Sequence, residues 1–139
     1  MQVIKDDEYV KITYDEETKV LGTRWKPTSF DDDLSDEYIR DVINLISDSL
    51  ASTQADYYLA DQTDRGVVYT EDMQKWVLQK LMEGGVKANL KKCAVVQSVD
   101  FFVGMSNEQL LKGAVTDIAY KCFSHRREAI DWLGVKNYE

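Results

Sequence analysis

"DYYLADQTDRGVVYTED", residues 56–72, decides how the chain is read. It begins with a short apolar, aromatic-rich run ending on Asp61, which reads as a strand. It closes on a helix start. Thr70 is a capping hydroxyl, Glu71 and Asp72 lie at the positive helix end, and Met73, Trp76, Val77 and Leu81 repeat at helical spacing. Asp61, Thr63, Asp64, Arg65 and Gly66 occupy the loop between. A strand handing over to a helix is the unit of a parallel α/β sheet, which usually binds ligands at the carboxyl ends of its strands.

Upstream, Val10, Ile12 and Tyr14 alternate with Tyr9, Lys11 and Thr13, as in a half-buried strand. "DEET", residues 15–18, is turn-like, and "KVLGTRW", residues 19–25, reads as a second strand, so the two form an opening hairpin that Pro27 ends. Ser35 caps a first helix, with Leu34 and Ile39 placed as a hydrophobic staple. Ile39, Val42, Ile43, Ile46 and Leu50 give that helix its apolar stripe.

Downstream, Gly84 and Gly85 are expected to stop the second helix. "KKCAVVQS", residues 91–98, is a strand apolar enough to be buried on both faces. "DFFVGM", residues 100–105, is an apolar loop, and Ser106 with Gln109 forms a capping box for a third helix. "YKCF", residues 120–123, is a last strand. Ser124 is expected to cap a final helix holding Ala129, Ile130 and Leu133, with Gly134 as its stop and residues 135–139 as a tail. The expected fold is α/β: a mixed, mostly parallel sheet of about five strands with an N-terminal hairpin and about four helices. One domain is expected over 1–139, with its ordered core at 5–134.

The chain has 139 residues, 44% hydrophobic and 30% charged, as in an ordinary globular domain. Its net charge of −8 argues against nucleic acid and anionic membrane surfaces as partners. "MQVIKDDEYV", residues 1–10, has neither a basic nor an apolar leader region, and no window holds 18 apolar residues. A cytoplasmic protein that does not span a membrane is expected. Cys93 and Cys122 each sit in an apolar run, read as buried free thiols, and their spacing fits no zinc or CxxC pattern. No cofactor or metal is expected. Asp31, Asp32 and Asp33 are successive acids that point apart, unlike a cation's converging ligands. The single histidine, His125, has no nucleophile or orienting acid beside it in sequence and is read as a surface residue.

The hairpin, the "YYLAD" strand ending in Asp61, the "KKCAVVQS" strand and the ending "YKCFSHRREAIDWL" resemble the STAS-type domains of sulfate transporters and anti-sigma-factor antagonists. The likeness is greatest to a small, stand-alone bacterial branch ending in a phenylalanine, a short cap and an Ala-x-x-Trp-Leu helix, here Phe123, Ser124, Ala129, Trp132 and Leu133. The resemblance implies helices gathered largely on one sheet face and a regulatory site where the middle strand meets the second helix. Antagonist members carry there a phosphorylated serine in an Asp-Ser-Ser-Gly motif. This chain has Tyr69, Thr70, Glu71 and Asp72 instead. A phosphate on Thr70, the nearest hydroxyl, would gain from the helix dipole and be repelled by both acids.

Asp61, Thr63, Arg65 and Thr70 are therefore the candidate polar contacts of a binding site, and Phe101, Phe102 and Met105 its candidate apolar wall. If helices cover one sheet face, some of Tyr14, Trp25, Tyr57 and Tyr58 lie on the other. That face is read as a homodimer interface on the hairpin side, or as the floor for an apolar ligand. The expected function is a non-enzymatic regulatory or binding domain for protein association or small-ligand sensing. The alternatives are a carrier of a lipid or other apolar ligand, and a phosphorylation-controlled anti-sigma-factor antagonist switched at Thr70.

Overall fold

The computed structural model describes residues 1–26, 35–63, 71–96, 118–136 and 138. Asp7 starts the architecture by accepting backbone hydrogen bonds from Tyr9 (2.8 Å) and Val10 (2.9 Å), which turns the chain between two strands. These are β1 (Gln2–Asp6) and β2 (Val10–Asp15), paired antiparallel. β1 is an addition to the expected hairpin. Its register with β2 slips between Val3 and Lys5, and its residues stay largely exposed, so period-two alternation never develops. Asp15 and a left-handed Lys19 (φ 60°) then turn β2 into β3 (Val20–Trp25), also antiparallel.

From β3 onward the sheet changes sense. α1 (Asp36–Thr53) leads to β4 (Tyr57–Asp61), and α2 (Glu71–Ala88) leads to β5 (Lys92–Val96). β6 (Ala119–Phe123) and α3 (Arg126–Leu133) complete the described elements. β3, β4, β5 and β6 pair in parallel, and the six-stranded sheet runs in chain order from β1 to β6. The mixed α/β sheet is as expected, with six strands in place of about five. The third helix expected after Ser106 lies outside the described residues.

Ser35 accepts from the Tyr38 amide at 3.1 Å, the N-cap that the sequence predicts. The stripe Ile39, Val42, Ile43, Ile46 and Leu50 is buried against Val10, Ile12, Tyr14 and Leu21 of the sheet. α2 adds Met73 and Val77 to the same core, with Trp76 and Leu81 half-buried beside them. Alternation sends Leu59, Ala94 and Val96 to the other face, where Ala129, Leu133 and Tyr138 meet them. Helices are thus not gathered on one face: α1 and α2 cover one, and α3 covers part of the other. Strands buried between two parallel neighbours need cover on both sides.

Three local expectations change for physical reasons. Trp25, Tyr14 and Tyr58 are 3%, 7% and 4% exposed, because α1 and α2 lie over the hairpin's apolar side. The uncovered aromatic face expected to serve a homodimer is therefore filled. The cap position of α3 is held by His125, exposed and without a side-chain cap bond, rather than by Ser124. Gly84 and Gly85 do not stop α2, which runs on to a left-handed Asn89 (φ 56°), with Leu90 N–H donating to the Gly85 carbonyl at 2.9 Å. Gly84 instead lets two helices touch. A Cβ there would stand 2.6 Å from both the carbonyl oxygen and Oγ of Ser47 on α1, whose hydroxyl donates to the Lys80 carbonyl.

Gly84→Ala tests this contact by its sign. On an open helix surface the change would stabilise by roughly 1 kcal/mol. Here it is expected to destabilise by about 1–3 kcal/mol through overpacking, seen as a lower urea midpoint at unchanged slope.

Candidate functional site

β4 ends at a corner built on one buried carboxylate. Asp61 Oδ1 accepts from the Thr63 amide (3.0 Å) and the Thr63 hydroxyl (2.6 Å), so the loop leaves the strand in a side-chain-closed turn. Its Oδ2 accepts from Arg126 Nη1 at 2.9 Å. Asp61 is 3% exposed. Burial alone would raise its pKa, but the Thr63 donors and the Arg126 guanidinium outweigh it and hold the carboxyl below its ordinary value.

Of the residues singled out in sequence, the structure brings Asp61 and Thr63 together. Arg65, Thr70, Phe101, Phe102 and Met105 lie outside the described residues, as do Asp31, Asp32 and Asp33. The residue missed was Arg126, 65 positions from Asp61. One signal pointed to it: an arginine in the first turn of a helix opposes the helix dipole and calls for an acid nearby.

On the face under α1 and α2, the core holds a cavity of about 60 Å³ along β4 and β5. Ile43 and Ile46 of α1, Val77 and Leu81 of α2, and Ala60 and Val95 of the sheet are among its walls. Trp25, Tyr58 and Tyr120 add aromatic surface, and Gln62, next to Asp61, is its polar side chain at the strand end. The Tyr58 hydroxyl lies 3.2 Å from Thr23 Oγ1, so its polar tip is occupied within the core. Cys93 also lines the cavity, and burial, with the nearby Cys122, pushes its thiol up to about 12. At neutral pH it is a small apolar wall rather than a nucleophile.

Compared with protein families, curated proteins and solved structures, the chain has no match. The reading of the site therefore rests on its own geometry.

Asp61→Asn is expected to keep the turn to Thr63 and lose the charged contact to Arg126. A charge-assisted bond of this kind contributes about 1.5–3 kcal/mol. Because the folded carboxyl is held below its ordinary value, its contribution is complete above about pH 4 and is lost as pH falls through the folded value. Urea unfolding of wild type and variant should differ by roughly 2 kcal/mol at pH 7 and converge at the acid end. A constant gap down to pH 2 would show that Asp61 acts through shape and not charge.

Proposed function

We propose that this chain is a non-catalytic binding module that takes a compact apolar group of a small molecule between its sheet and the α1–α2 layer. The apolar cavity carries the reading. Folded cores are close-packed and hold few such spaces. A ligand seated in this one gains contacts with its apolar walls and buries its own apolar surface. The cavity suits a ring or a short branched chain, and a long acyl chain would need it widened. Gln62 offers an amide to orient a polar substituent, and it belongs to the turn that Asp61 closes. Sensing follows from that adjacency: occupancy is read at the start of the loop between β4 and α2. A regulatory role of this kind is what the sequence resemblance to STAS-type domains implies.

Toluene is a suitable probe. Titrated into the protein and followed by methyl NMR, it should shift Ile43, Ile46, Val77 and Val95 saturably. Ala60→Val fills the cavity from the sheet with a strand-compatible side chain, and should weaken binding at least tenfold with little change in melting temperature. Native mass spectrometry of the purified protein gives a second readout, an adduct mass. Absence of saturable shifts in wild type, or equal binding by Ala60→Val, would remove the proposal.

A further inference from the structure

The walls of a cavity decide the charge of what enters it. None of the described residues lining the space beneath α1 and α2 is an acid or a base of the Asp, Glu, Lys, Arg or His kind. Burial keeps the Cys93 thiol on that wall protonated at neutral pH. Asp61 precedes Gln62 in the chain, but its carboxylate is engaged by Thr63 and Arg126. A carboxylate or ammonium group carried into the cavity would lose its hydration and meet no countercharge there, which burial of one ring does not offset.

The same walls favour an aromatic ring. Trp25, Tyr58 and Tyr120 line the cavity, and Met82 and Cys93 bring sulfur atoms to it. Rings gain from edge-to-face or offset contact with other rings, and from sulfur placed near the ring edge.

The polar groups of the wall divide into engaged and available. Tyr58 Oη lies 3.2 Å from Thr23 Oγ1, and Tyr120 Oη lies 2.9 Å from Cys122 Sγ, so both phenols have partners inside the protein. Gln62 differs. Its backbone N–H donates to the Val96 carbonyl at 2.8 Å, which fixes the residue at the end of β4. Its side-chain amide makes no hydrogen bond among the described residues. A half-buried amide exchanges water for a ligand group at little cost. It offers both donors and an acceptor, and a hydroxyl answers either while leaving the cavity's volume to the ring.

Taking the cavity as the ligand site proposed above, on which this assignment rests, we infer that its ligand is an uncharged aromatic alcohol, with the ring beneath α1 and α2 and the hydroxyl on the Gln62 amide. The hydroxyl donates to Gln62 Oε1 or accepts from Nε2, and so leaves water without being left unpaired. Gln62 sets specificity, and the apolar walls supply affinity.

Phenol, toluene, benzoate and benzylammonium are the probes, each titrated into the full chain at pH 7 and followed by the methyl signals of Ile43 and Val95. Water holds phenol more strongly than toluene, so a void without a polar partner would prefer toluene. Wild type is expected to bind phenol at least as tightly as toluene, and to bind neither ion. Gln62→Leu keeps the backbone bond to Val96 and should weaken phenol by about tenfold while holding toluene within about twofold, since the buried hydroxyl is then unmatched. Retained toluene binding also shows that the variant is folded. Toluene binding with phenol weaker in wild type, or with the same phenol-to-toluene ratio in Gln62→Leu, overturns the assignment and leaves the cavity as a ligand site. Benzoate or benzylammonium binding as tightly as phenol overturns it too. Failure of toluene and phenol alike removes the assignment together with the cavity reading.

Discussion

The parallel ladder joining Val20–Trp25, Tyr57–Asp61 and Lys92–Val96 can persist only if both of its faces leave water. Alternation supplies two apolar sets, Tyr58, Ala60, Cys93 and Val95 on one side and Leu59, Ala94 and Val96 on the other. Two long helices lie over the first set and one short helix with Tyr138 over the second. The asymmetry decides where the apolar cavity lies. Where α1 and α2 span the sheet together they leave an apolar void beneath them. Where the single helix α3 stops, Lys11 and Arg24 of the hairpin strands face solvent, while Thr13 beside them stays buried.

The carboxylate of Asp61 stands at the boundary between these regions. Gln62 follows it toward the apolar cavity, while Arg126 ties it to the first turn of α3. A buried carboxylate with three hydrogen bonds is costly to disturb, since removing one partner leaves the others unmatched. The corner is therefore a rigid hinge point from which the loop after β4 departs. It also explains how an arginine can sit in the first turn of α3: the unfavourable dipole is outweighed by a carboxylate 2.9 Å away.

Much of this architecture was legible in the residues. Val10, Ile12 and Tyr14, the stripe from Ile39 to Leu50, and the unbroken run at 93–96 each carry a period that one kind of element satisfies. β1 escaped because Val3 and Ile4 are its only clear apolar residues and the register slip breaks their alternation. The side taken by α3 escaped too. Ala129 and Leu133 show that one face of it is apolar, but only Leu59, Ala94 and Val96 across the sheet decide where that face goes. Gly84 read as a stop because the same residue type serves for a left-handed turn and for close approach, and sequence does not separate the two. At the site, Asp61 and Thr63 were legible because their contact is local. The cavity was not, and for Arg126 the sequence signalled only the need for an acid and not which one, since both arise from segments that meet only in the folded chain.

The slip in register between Val3 and Lys5 has a consequence beyond the hairpin it disrupts. A straight outer strand offers its unpaired amides and carbonyls to any similar strand it meets, and successive molecules then add without limit. Here that border carries a slip, and Lys5 pairs with Asp7 at 3.3 Å. Among the described residues this margin is kinked, and a kinked border pairs poorly with a neighbouring strand.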